Sequence, residues 1–189
     1  MSKMLLCTVC ALAVVLAVCG CSSSGDESGS AEERAQVEGG VATPIASFAL
    51  DDAEGVIDGQ LVAVDADVTS DGGGSLLVTA NAPTTVRLFE LGDVDVEEAN
   101  LSCAASVRSE GLDGIAYLEL LCSFSELGEY FSRALESPAT GDSDWAVQEV
   151  AFLLQKGQNP DNIKLNLIID GTGTVWIDDL SVSVLAFPG

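Results

Sequence analysis

The sequence has no histidine, an aromatic content of only 5%, and 7 lysine and arginine side chains against 30 aspartates and glutamates. Each shortage excludes something. Without imidazole, Ser-His-Asp triads, Cys-His dyads and His-ligated zinc are impossible. A formal charge of −23 argues against DNA or RNA as a partner, because such binding depends on basic side chains neutralising phosphates. Gly72-Gly73-Gly74 lacks the following lysine and helix that would make a phosphate loop. No segment repeats its apolar residues with the period of an amphipathic helix. Long apolar runs are also missing, apart from Met4 to Val18. At about 15 residues that run is short for a membrane span.

What is present begins with an address. Lys3 followed by the apolar run reads as the charged and hydrophobic regions of an export signal. Val18-Cys19-Gly20-Cys21, with Ser22, Ser23 and Ser24 behind it, resembles the bacterial lipobox. The resemblance implies that residues 1–20 are removed and that Cys21 is diacylated, becoming the mature N-terminus and tethering the protein to a membrane. Two acyl chains give stable anchoring where one is marginal. Ser22 behind the lipidated cysteine, by analogy with lipoprotein sorting in diderm bacteria, favours the outer membrane or cell surface over the inner membrane. Residues 21–43 are rich in Ser, Gly and Glu and cannot bury enough apolar surface to offset their ordering entropy, so they read as an acidic flexible linker.

From residue 44 to 189 the apolar spacing is period two, with Gly, Asn, Asp and Pro clusters between the runs. Strands are predicted near 46–50, 60–68, 75–80, 84–91, 101–109, 115–124, 129–135, 145–154, 162–170 and 174–187. The fold class is therefore all-β, a two-sheet antiparallel β-sandwich. A hairpin turning at Glu110 to Gly114 would set Val107 against Leu118 and Cys103 against Cys122 on one apolar face. In an oxidising compartment this predicts a disulfide between Cys103 and Cys122. Closing a loop of about 20 residues, it would contribute about 3 kcal/mol on the chain-entropy model.

The last strand carries the run Gly173-Thr174-Val175-Trp176-Ile177-Asp178-Asp179-Leu180-Ser181-Val182. Strict alternation puts Trp176, Asp178, Leu180, Val182 and Val184 on the core side. An ionised Asp178 there is costly unless paired or bound to a cation, and with few basic residues a calcium ion is the reasonable compensator. This run resembles the closing strand of galactose-binding-like jelly rolls, especially carbohydrate-binding modules of the family 4, 9 and 22 type. Asp144-Trp145 opening a strand that ends Phe152-Leu153-Leu154, then Ile163 to Ile169, resembles the two strands before it. Phe48 and the Asp71 to Gly74 turn match their opening. The resemblance implies a structural Ca2+ held by Asp178, by one of Asp51 or Asp52, and by groups around Asp71 and Gly73.

It also implies a possible sugar site. Trp145 and Trp176 stand where the family packs core tryptophans. Tyr117, opposite in parity to Leu118 and Leu120, is the first choice for an exposed ring, and Tyr130 is the second. Arg87 and Arg108 point away from the presumed core, and Gln148 would add a polar contact. The expected function is non-catalytic binding of a polysaccharide or envelope glycan by a monomeric, membrane-tethered domain. The alternative is an envelope interaction module that keeps the scaffold without the sugar site. An enzyme is not expected, since paired carboxylates carry no information among 30 acids.

Overall fold

A computed structural model of the chain describes residues 41–187. The signal peptide of residues 1–20, Cys21 and nearly all of the linker lie outside the described residues. Eight strands follow in order: β1 (Thr43–Phe48), β2 (Ala63–Asp65), β3 (Ser75–Ala80), β4 (Thr84–Gly92), β5 (Ala99–Phe124), β6 (Gly128–Arg133), β7 (Ala139–Leu154) and β8 (Asn162–Ala186). A strand expected across residues 60–68 is instead a 3-10 turn at Gly59–Leu61 and the short β2. The reason is local. The Asp65 carboxylate accepts hydrogen bonds from the backbone N–H of Asp67 and Val68, which turns the chain out of the strand.

β5 and β8 are each about 25 residues long and pair antiparallel with each other from Ala99 to Ser123. All other strands attach to this two-stranded spine directly or through β3. The later half of β5 and the earlier half of β8 form one layer, edged by β6 and β4. The earlier half of β5 and the later half of β8 form the other, edged by β7 on one side and by β1, β3 and β2 on the other. Side chains from both halves enter a single core, including Leu101, Val107, Leu118, Leu120, Leu165, Leu167, Ile177 and Leu180. The domain is thus a β-sandwich whose two layers share their central strands.

The expected hairpin at Glu110 to Gly114 is not there. β5 runs through that segment and bends, because the corner glycines let two backbones press together: a Cβ on Gly114 would lie 2.1 Å from the Asp170 carbonyl oxygen, and one on Gly171 would lie 2.1 Å from that of Asp113. Any larger residue would push the strands apart. The consequence for the cysteines is direct. Cys103 faces Val182 and Val150 in one layer, while Cys122 faces Ile163 and Tyr130 in the other. Both are buried free thiols and not a disulfide, and burial pushes each pKa up to about 12.

The closing strand also departs from strict alternation. Between Asp178 and Ser181, β8 carries one residue more than β5 does opposite, and Asp179 takes a left-handed φ of 51°. This bulge reverses the side-chain phase. Ile177 and Leu180 both enter the core, whereas Trp176 and Asp178 turn to the outside of the second layer. They are nonetheless buried, because the segment after β2 roofs them.

Candidate functional site

The outer face of the first layer carries an ordered polar row. Register sets Arg87 of β4, Asn166 of β8, Glu119 of β5 and Arg133 of β6 side by side across four strands. Arg87 Nε donates to Asn166 Oδ1 at 2.6 Å, Asn166 Nδ2 donates to Glu119 Oε1 at 3.0 Å, and Arg133 Nε donates to Glu119 Oε2 at 2.6 Å. A second row lies beside it. Arg87 pairs with Glu90, Asn162 Nδ2 donates to Glu90, and Lys164 Nζ reaches Glu129 Oε2 at 2.5 Å. These bonds hold the Glu90 and Glu129 carboxyls below their ordinary pKa, with Asn162 and Arg87 acting on the first and Lys164 and Ser123 on the second. Of the five basic residues between Val41 and Phe187, three therefore converge on one face.

Two rings complete it. The Arg133 guanidinium lies 4.2 Å above the centroid of Phe131, whose ring is 58% exposed, and 6.0 Å from that of Tyr117. Phe131 sits opposite Leu121, and Tyr117 opposite Ile168, on the same face as the row. The arrangement offers forked N–H donors, carboxylate acceptors and an exposed ring on a rigid sheet, which is the chemistry that recognises hydroxyl-rich ligands.

The sequence-based ligand residues scatter. Tyr117 is on this face but only 7% exposed, sealed by its neighbours, and so is not the expected open platform. Tyr130 pairs with Cys122 on the core-facing side of β6 and projects at the rim, edge-on to Phe124 at 6.1 Å. Arg108 belongs to the other layer, with its guanidinium 5.4 Å above the Trp176 ring. Gln148 is buried. Its Oε1 accepts from the Leu118 N–H and its Nε2 donates to the Ala116 carbonyl, both at 3.1 Å, so it fastens β7 to β5, and at 2% exposure it is closed off from a ligand. Sequence reasoning passed over Phe131, Glu119, Asn166, Arg133 and Lys164. The available signal was an aromatic and an arginine two residues apart on β6.

The acidic residues fare better. Asp51, Asp71 and Asp178 each bring a carboxylate oxygen within 4.8 Å of the others. Asp178, fully buried, accepts from Ser70 N at 2.8 Å, Ser70 Oγ at 2.9 Å and the Asp179 N–H at 3.0 Å. Asp71 accepts from Gly73 N at 2.8 Å, which with Thr69 holds its carboxyl below the usual range. Asp51 is pushed the other way by desolvation and by the charges of Asp71, Asp178 and Asp179. A Cβ on Gly73 would fall 2.3 Å from Asp51 Oδ1, so a larger residue there would displace the Asp51 carboxylate from the cluster. Asp52 is not in the cluster and binds the Glu54 N–H instead. Three converging carboxylates to which, among the described residues, no lysine or arginine is bonded are a hard-oxygen donor set that fits calcium.

No protein-family model and no curated protein matches the chain. Among solved structures it is similar to the CBM22-1 xylan-binding domain of Xyn10C from Paenibacillus barcinonensis, with a TM-score of 0.54 at 13% identity, covering 79% of this chain and 98% of that one. It is also similar to a family 16 carbohydrate-binding module, CBM-2, with a TM-score of 0.51 at 10% identity, covering 71% of this chain and 99% of that one. The described domain has the jelly-roll sandwich fold of carbohydrate-binding modules.

Proposed function

We propose, from the fold held in common with carbohydrate-binding modules, that this chain is a lipid-anchored envelope protein whose domain binds a polysaccharide or envelope glycan without catalysing a reaction on it. The observation that carries the reading is the row Arg87, Asn166, Glu119 and Arg133 beside the exposed Phe131. Sugar hydroxyls need donors and acceptors fixed in alternation, and an aromatic ring complements the apolar face of a pyranose. Every carboxylate described in those rows is engaged by a cation, which suits holding a ligand. Diacylation at Cys21 and the acidic linker would hold the domain off the outer membrane or cell surface.

A calcium ion would be held by Asp51, Asp71 and Asp178. It would supply positive charge that no described lysine or arginine brings to these three carboxylates, tying the segment after β1 and the loop before β3 to β8. The competing reading, an interaction module without a sugar site, draws on the single well-exposed ring of the polar face. Affinity electrophoresis through xylan, mixed-linkage glucan and galactan gels separates the two. Glycan binding predicts retardation on at least one polymer that Phe131→Ala abolishes, whereas unretarded migration on a broad polymer panel favours the interaction module.

A further inference from the structure

We infer that β7 pairs edge to edge with β7 of a second copy, joining two domains through one antiparallel sheet. Among the described residues, β7 bonds only to β5, and its Val147, Glu149, Val150 and Ala151 line a groove of about 460 Å³ bounded opposite by Ser132, Arg133 and Glu136. Among the described residues eleven large apolar side chains stand exposed, and two of them, Val147 at 69% and Leu153 at 58%, lie on β7. Free edges are normally blunted by lysine, proline or a bulge, and the irregular pairing of β7 with β5 is confined to the half of β7 before Ala146. Residues 145–154, Trp-Ala-Val-Gln-Glu-Val-Ala-Phe-Leu-Leu, contain no proline and one charge, Glu149.

That sparse charge is why a second copy fits. Two chains of −23 repel over most of their surface, and this edge is where they meet with least opposition. The pattern is also self-complementary. An antiparallel pair of identical strands related by a two-fold axis is centred on a residue. Centred on Glu149 it would oppose two like charges. Centred on Val150 it sets Val147 against the partner's Leu153 and Glu149 against the partner's Ala151, each pair occurring twice. All four lie on the outer face of β7, in line with Ser102, Ala104 and Ser106 of β5. Each exposed apolar side chain covers another, and the two Glu149 carboxylates stand diagonal to each other rather than directly opposite. Such a dimer would depart from the monomer expected from sequence alone.

Sedimentation equilibrium of the full chain in a density-matched detergent tests it. The expected result is a reversible dimer. Replacing Val147 and Leu153 together by Lys weakens it at least about tenfold without altering thermal unfolding, whereas Ala151→Lys, set against the partner's Glu149, tightens it by about tenfold at low salt. A chain that sediments as a monomer throughout overturns the inference, whatever other proteins bind this edge. So does a dimer indifferent to both sets of substitutions.

Discussion

Gly114 and Gly171 stand where the long strands touch at the corner, and their missing side chains are what let β5 and β8 remain paired through the bend. Gly114→Ala places a methyl group inside contact distance of the Asp170 carbonyl, at a φ of 127° that also disfavours alanine. Chemical denaturation should show a loss of about 3 kcal/mol or more. The two cysteines of the domain give a second prediction. Buried and pushed up to about 12, Cys103 and Cys122 should resist a thiol reagent in the native protein and react together after unfolding in denaturant. Reaction of neither thiol in denaturant would restore the disulfide. A third concerns Asp161, whose carboxylate accepts from the N–H and hydroxyl of Ser125 and is held below its ordinary 3.8 by those bonds. A depressed carboxyl contributes stability that is present above the unfolded value and lost as pH falls through the folded one. Asp161→Asn should therefore lower the Tm at neutral pH, with the difference from wild type vanishing in acid.

At the scale of elements, much of the fold was legible because strand residues alternate, and β3 was bounded from sequence as it stands in the structure. Where the expectation failed, the cause lay outside alternation. Glycines at residues 111 and 114 signal a turn equally well whether a strand reverses or bends, and only the neighbouring strand decides. One extra residue at Asp179 flipped Trp176 and Asp178 to the outside while leaving Leu180 within, a shift invisible to a count of twos. Asp178 and Asp71 could be read because they belong to a recognisable run and a glycine turn, whereas sequence left Asp51 and Asp52 as alternatives that only the fold separates. The polar row could not, since Arg87, Glu119, Arg133 and Asn166 come from four strands and meet only through register. Of the residues singled out for sugar, Gln148 shows the limit: a polar side chain in a strand spends its groups on backbone as readily as on a ligand.

For the whole molecule, 30 acids against 7 bases make charge the dominant surface property. Only a few acids sit where a cation would change the folding equilibrium. If calcium joins Asp51, Asp71 and Asp178, saturating calcium should raise the Tm by several degrees over chelator, because an ion bound only by the folded state stabilises it by mass action. Asp178→Asn should erase the difference, and identical melting curves for the wild type would remove the ion from the account. The polar face has its charges already paired, so its ligand should be one whose binding varies little with salt. Whether this face holds a glycan is tested by isothermal titration with the polymer that retards the protein most strongly. Binding should be saturable for wild type and for Arg108→Ala, in the opposite layer, with at least a tenfold loss for Phe131→Ala. Equal binding by Phe131→Ala, or loss confined to Arg108→Ala, would contradict a glycan site on this face.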